Sequence, residues 1–398
     1  MTNTNSTAAS ILDDWDKPIH TLWSTGNAKD AIQAAVEKLN ACSEKKPKGL
    51  LVQLGYYLFL GNNYPAASVV FKNILTLYPD DKNVLLNLGH SLSKSKKYKE
   101  SIRYISEHLK GNPKEFSGWD SLADSYAHLE DYEKSSKSGT NSLIIKDKLY
   151  GAADPKWQLP TTTIADHTYN KKRVIAFSLW GNEKRYIFGA LRNLLLAPDL
   201  YPDWELWFYV DNSVSAGFLD IIRSLGGRVL PQEEKQSLRE KSCWQFKVTQ
   251  HEEVGYFLIR DIDSVFSVRE CNAVQEWLDS GKWFHIIRDW WTHTELIQAG
   301  LWGGVAGVLP NTQNLFNNHP LNLASTPNIA QWFLRDCIWR YVKKSCLVHD
   351  RCFKHQASTT ISGPIPANGI YIGSCEYHQR PGFQENILAA WIKQGRSE

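Results

Sequence analysis

Apolar positions in the first third of the chain recur every 34 residues. Tyr64, Tyr98 and Tyr132 keep that interval, as do Leu51, Leu85 and Trp119, and Leu54, Leu88 and Leu122. The small residues Gly55, Gly89 and Ala123 share it, as do Ala67, Ser101 and Ser135. Within each period the apolar residues fall three and four apart. That spacing predicts two amphipathic helices per unit, with small residues where the pair approaches closely. Pro79 and Pro113 stand where a second helix must stop. Gly139 occupies a place suited to a bulky apolar residue, so the third unit is worn. Before residue 48, "AIQAAVEKLNAC" is helical but out of register and predicts a capping half-unit.

Beyond residue 170 the pattern shifts to short β-rich runs. "RVIAFSLWG" (173–181), "WELWFYVD" (204–211), "RVLPQ" (228–232), "GYFLIRDID" (255–263), "KWFHIIRD" (282–289) and "LWGGVAGVLP" (301–310) read as strands. Between them, "EKRYIFGALRNLLLA" (183–197) has helical spacing and should stop before Pro198. "AGFLDIIRSLGG", the stretch around "CWQFKVTQH" and "RECNAVQEWLDSG" also read as helical. This alternation predicts an α/β fold, a mostly parallel sheet with helices on both faces, preceded by the all-α array. The domains would be 1–145, a linker at 146–170 rich in Pro, Thr and Asp and anchored through Trp157, and 171–398.

Composition adds limits. A chain of 398 residues favours two domains, and twelve of its sixteen tryptophans lie after residue 170, so the two parts differ in kind. The net charge of +3 is too small to suggest nucleic acid or an anionic membrane as partner. Seven scattered cysteines without a C-x-x-C pair read as reduced thiols. No apolar run approaches the roughly 18–20 residues of a spanning helix, and the N-terminus lacks the pattern of a signal peptide. A cytoplasmic location follows as the expectation, with peripheral attachment at the inner membrane face as an alternative.

In open parallel sheets ligands bind beyond the carboxyl ends of the strands. That rule places 178–182, 211–213, 261–264 and 288–293 along one rim. The stretch "YFLIRDIDSVFS" (256–267) is the notable one. Two carboxylates in Asp-x-Asp at a strand end can present oxygens to one hard divalent cation, whose open positions diphosphate oxygens fill. Arg260 beside them is a plausible phosphate partner. Asp-x-Asp alone is a weak motif, because surface loops carry it by chance.

Two resemblances sharpen the picture. The 34-residue frame resembles the tetratricopeptide repeat, W-x2-L-G-x2-Y…A…F…P. Residues 173–350 resemble a family of bacterial glycosyltransferases with the GT-A (nucleotide-diphospho-sugar transferase) fold. The matching pieces are "FSLWGNEKRYIFGALRNLLLAPDLYPDW", "FYVDNS", "WQF", "FLIRDIDSVFSVRE", "AVQEWLDSGKWFHIIRDWWTH" and "AGLWGG". This resemblance implies Mn2+ or Mg2+ as cofactor and a nucleoside-diphosphate sugar, a UDP-sugar first, as donor of a hexosyl group. It implies that Asp263 binds the metal directly and that Asp261 serves metal, ribose or both. Ser178, Leu179, Trp180 and Asn182 would hold the nucleoside, together with Asp211. "RDWWTH" and "AGLWGG" would line the sugar and acceptor side. The family usually reads WRF where this chain has Trp244-Gln245-Phe246, so a phosphate role there does not carry over.

Several residues keep two readings. Asp289 and His293 could hydrogen-bond sugar hydroxyls or act as catalytic base, or Arg288 and Asp289 form only a local ion pair. Gly303 and Gly304 could admit a sugar to the backbone with Trp302 stacked on it, or mark a tight turn with a core Trp. Of Trp290 and Trp291, adjacent in sequence, one would face acceptor and the other the core. His349 could complete the metal site or be merely hydrogen-bonded.

Three functions compete. The first is a glycosyltransferase acting on a glycan, lipid-linked or protein acceptor, with the repeat array recruiting acceptor or a protein partner. The second is a tetratricopeptide adaptor whose transferase-like domain is inactive. The third is a two-metal phosphohydrolase, which would need a denser carboxylate cluster than the rim supplies.

Overall fold

A computed structural model describes residues 14–79, 81–233, 236–319, 328–363 and 370–394. The chain divides into two compact units, Met1–Ile145 and Lys146–Glu398.

The first unit is a helical repeat array resembling the tetratricopeptide repeat. Its helices are α1 (Lys17–Ser24), α2 (Ala28–Asn40), α3 (Lys48–Leu60), α4 (Tyr64–Leu77), α5 (Val84–Lys94), α6 (Tyr98–Gly111), α7 (Phe116–His128) and α8 (Tyr132–Tyr150). The small residues do what the spacing demands. A Cβ on Gly55 would come within 2.7 Å of the Phe71 ring, and one on Gly89 would collide with Ile105. A second device repeats with the period. Ser101 Oγ donates to the Gly89 carbonyl at 2.8 Å, and Ser135 Oγ to the Ala123 carbonyl at 2.7 Å. Each buried hydroxyl joins the two helices of its own repeat. The segment ahead of the repeats is a full helix pair, whose Ile19, Ala35 and Leu39 share one core with Leu54, Phe71 and Leu88.

The second unit holds one seven-stranded sheet. Its strands are β1 (Lys172–Leu179), β2 (Trp204–Val210), β3 (Arg228–Pro231), β4 (Val254–Arg260), β5 (Phe284–Arg288), β6 (Leu301–Val305) and β7 (Cys346–Asp350). They are ordered β3-β2-β1-β4-β6-β5-β7. β1 pairs in parallel with β2 and β4, β2 with β3, and β5 with β7. β6 runs antiparallel to both its neighbours, β4 and β5. The sheet is therefore mostly parallel but mixed.

The helices of this unit include α9 (Ile164–Thr168), α10 (Lys184–Leu200), α11 (Ala216–Ser224), α12 (Leu238–Lys241) and α13 (Val268–Asp279). A 3₁₀ turn, Trp244–Gln250, follows α12. Later come α14 (Thr312–Asn317), α15 (Ile329–Phe333), a π-helical turn Leu334–Ile338, and α16 (Trp339–Val342). α10 runs through Pro198 rather than stopping before it. Pro198 gives up the N–H that would otherwise bond the Leu194 carbonyl, so the ladder loses a bond in the last turn. Segment 146–170 is not a free connector. Trp157 Nε1 donates to the Val308 carbonyl at 3.1 Å, and His167 Nε2 lies 2.8 Å from the Ala306 carbonyl. Among the described residues no helix is long and apolar enough to cross a membrane.

Candidate functional site

The Asp-x-Asp turn sits where β4 ends, and two features of α10 set it in place. Gly189 lets the helix touch the turn: a Cβ there would collide with the Ile262 carbonyl and lie 2.7 Å from Asp263 Cα. Asn193, fully buried, clasps the turn with both ends of its amide. Its Nδ2 donates to the Ser264 carbonyl at 2.9 Å, and its Oδ1 accepts the Phe266 N–H at 3.0 Å. Ile262 and Phe266 anchor the turn in the core. Asp261 and Asp263 are left pointing elsewhere, into a cleft of about 530 Å³.

The cleft gathers the end of β1 with this turn. Ser178, Leu179, Trp180 and Gln245 line it beside Asp261 and Asp263. Gln245 and Ser178 bind each other reciprocally: the Ser178 N–H donates to Gln245 Oε1 at 2.9 Å, and the Gln245 N–H to Ser178 Oγ at 3.1 Å. The Gln of "WQF" thus fixes the strand end. Glu183, Tyr186, Ala299, Asn328 and Gln331 complete much of the lining. Among the described residues that lining includes three carboxylates and no Lys or Arg.

Asp261 is open to the cleft mouth yet crowded by protein on its other sides. That crowding, reinforced by the charge of Asp263 and opposed by Arg260, pushes its carboxyl up to about 6. Gly300 is the close neighbour. A Cβ there would lie 2.7 Å from Asp261 Oδ1 and closer still to Oδ2.

Other predicted site residues lie outside this lining. Asn182 and Asp211 join the loops after β1 and β2. Asn182 Oδ1 accepts the Ser215 N–H at 3.3 Å, and Asp211 accepts the Ser213 N–H at 3.0 Å and pairs with Lys241 at 2.5 Å. Burial pushes the Asp211 carboxyl up, but Lys241 and Ser213 outweigh it and hold it low. Gly181, at φ +71°, takes the left-handed conformation that this junction needs and donates to Ser213 Oγ at 2.7 Å.

Arg260 is turned into the core rather than the cleft. It is fully buried, paired with Glu270 at 2.5 Å and bonded to the Trp302 carbonyl at 3.0 Å. Gly303 and Gly304 lie within β6, where a Cβ would meet Leu258 and Phe257 or Phe284. Strand packing accounts for those glycines. Trp302 is buried against Phe257, with ring centroids 5.2 Å apart.

Asp289 is not poised as a base. It has no exposed surface, and a fork of Arg269 grips it at 2.8 and 2.9 Å. Arg351 at 2.8 Å and the Ile372 N–H at 2.9 Å complete its shell. Burial pushes its carboxyl up, but Arg269, Ile372 and Arg351 outweigh that and keep it below the usual carboxylate range. Its partner is not Arg288, which pairs instead with Asp350 at 3.3 Å. His293 Nδ1 accepts the Asp289 N–H at 3.1 Å, and burial brings its pKa down to about 4, so the ring is neutral. His349 is buried between His285 and Glu276, 2.8 Å from each, and its ring nitrogens are engaged there rather than at the carboxylate pair.

Asp289 instead anchors a later strap. Trp290 stacks on Tyr371 at 4.7 Å, and Cys375 forms a β-bridge with Ser264, next to Asp263. Sequence reasoning passed over Asn193, Gly189, Tyr186, Gln331 and the strap. Asn193 did leave a trace, as a polar residue in the apolar stripe of α10 three places after Ala190 and four before Ala197.

No family model matches the chain, and no curated protein does. Solved structures give partial likenesses. A mutant O-GlcNAc transferase from Thermobaculum terrenum is similar over 65% of this chain, at 18% identity and a TM-score of 0.37, and the chain spans 47% of its length. MamA from Desulfovibrio magneticus RS-1 covers 32% of this chain over 71% of its own length, at 20% identity and a TM-score of 0.30. YrrB, a TPR protein with an unusual peptide-binding site, covers 32% of this chain over 64% of its own, at 17% identity and 0.30. At these scores the likenesses carry no argument about chemistry.

Proposed function

We propose that the chain is a metal-dependent glycosyltransferase of the GT-A type, moving a sugar from a nucleoside-diphosphate sugar, a UDP-sugar first, to a glycan, lipid-linked or protein acceptor. The observation that carries this reading is the charge of the cleft: Asp261, Asp263 and Glu183 line it with no Lys or Arg among the described residues. A diphosphate entering alone would meet repulsion, and a divalent cation between it and the carboxylates would offset most of that charge and attract both. Two carboxylates suit Mg2+ or Mn2+ that keeps phosphate oxygens and water in its remaining positions. Among the described residues no group of three or more His, Cys, Asp or Glu offers a ready cage. Asp263 would hold the ion, and Asp261 the ion, ribose or both. When bound, the cation supplies charge neutralisation for the leaving nucleoside diphosphate.

The chain's own residues orient the donor. Ser178, pinned by Gln245, gives the nucleoside a fixed wall with Leu179 and Trp180, while Asn182 and Asp211 brace the loops behind it. The repeat array recruits acceptor or a protein partner. An adaptor with an inactive sheet unit is the alternative; the carboxylate pair clasped by Asn193 and aimed into the cleft favours the enzyme.

Thermal stability measured with UDP, GDP and their sugars, with and without Mn2+, tests the reading. Metal-dependent stabilisation by one nucleotide class supports it and names the base. No response to any donor in the presence of metal would sink it. Asp263→Ala should abolish the metal dependence.

A further inference from the structure

A second cavity, of about 410 Å³, shares a wall with the cleft. The segment from α12 through the 3₁₀ turn lines both. Leu238, Ser242 and Gln245 belong to the cleft, and Glu240, Cys243, Trp244 and Phe246 to the second cavity. One part of its wall is aromatic: Phe333 packs on Phe246 and Phe316 with centroids 5.9 and 5.4 Å apart.

The other part is amide, and each amide is half-committed. Gln236 accepts from Trp244 Nε1 with its oxygen, which leaves its NH2 outward. Asn311 caps α14 by accepting the Asn314 N–H at 2.9 Å, which likewise leaves its NH2. Gln250 donates to the Leu309 carbonyl at 3.1 Å and keeps its oxygen. Two donors and an acceptor are thus held in place by bonds the protein already makes. Lys247 is tied to Gln232, and Glu233 and Glu240 outnumber it in the lining.

An anion would meet net negative charge here, and a purely apolar ligand would strand the amides. Fixed amides beside aromatic rings suit a neutral ring whose C–H face packs on an aromatic while its hydroxyls pair with the amides. We infer that this cavity binds a neutral saccharide, as the subsite for the part of an acceptor glycan beyond the reacting sugar. Its role as acceptor subsite rests on the transferase reading; the saccharide site itself does not. The two cavities are mechanically joined, because Trp244 meets Trp180 edge-on at 6.1 Å and Gln245 is bound to Ser178.

Gln236→Glu and Asn311→Asp test this cleanly. Each keeps the oxygen that bonds the protein and deletes the outward NH2. Neutral gluco-, manno- and galacto-configured oligosaccharides, fluorescently labelled, are titrated against the intact chain, with UDP plus Mn2+ measured in parallel. At least one oligosaccharide should bind, and the double variant should weaken it about tenfold or more with melting temperature and nucleotide response unchanged. Failure of every oligosaccharide to bind, or equal binding by the double variant, overturns the inference and leaves the transferase reading standing. Saccharide binding with no response to nucleotide upholds the site and removes the transferase reading.

Discussion

Asp261 shows how one side chain can set a pH profile. Its carboxyl, raised to about 6, is partly protonated around that pH. In the proposed site a proton and a cation would compete for the same oxygens. Mn2+-dependent nucleotide binding should therefore strengthen as pH rises through about 6 and level off above about 7. Calorimetric titration across that range measures it. A flat profile would remove Asp261 from the cation's shell, and Asp261→Asn should flatten it by design. Asp289 behaves in the opposite sense. Its folded pKa is depressed, so its contribution is present above its unfolded value and is lost as pH falls through the folded one. Asp289→Asn leaves Arg269 and Arg351 facing a neutral amide in a buried site, which should cost about 3–5 kcal/mol in urea denaturation. A loss below about 1 kcal/mol would mean that the two guanidinium groups find other partners.

At the scale of elements, period and composition revealed most of the architecture, and direction was what they hid. The 34-residue recurrence marked the three helix pairs from α3 to α8 but not the out-of-register pair α1–α2, whose sequence predicts a half-unit, and the β-rich runs marked six of the seven strands. β6 ran against expectation for a physical reason. The stretch between Arg288 and Leu301 contains no crossover helix, and without one adjacent strands turn back on each other. The position of Asp-x-Asp at the cleft was readable because the pair follows an apolar strand that ends at the rim. Arg260 fell outside the site, and of their two readings Asp289 and His349 took the bonded one, because sequence does not show whether a polar side chain faces ligand or a buried partner. The glycines divide similarly. Gly303 and Gly304 serve strand packing, while Gly300 serves the site. Gly300→Ala should displace the Asp261 carboxylate and weaken Mn2+-dependent nucleotide binding at least about tenfold. Because a side chain yields more easily than backbone, the melting temperature should hardly move. A large fall in stability instead would show that Gly300 is structural.

At the scale of the molecule, each unit buries a core of its own. A fragment of residues 14–150 should therefore give a helical circular-dichroism spectrum and unfold cooperatively; an unfolded fragment would show that the array's core is not self-sufficient. Of residues 310–398, the least legible part of the sequence, those described supply β7, part of the cleft lining and the strap across the rim. Their contacts are long-range, through Asp289 to Ile372 and Ser264 to Cys375, and no local periodicity announces such pairings.

Gly189 and Gly300 both press on the carboxylate turn, one meeting backbone and the other a carboxylate. In a library holding every substitution at every position, both columns would be nearly blank when sorted by turnover. Sorted by abundance in the cell, column 189 would stay blank and column 300 would fill. Two identical letters would then separate into a residue the fold requires and a residue only the proposed reaction requires.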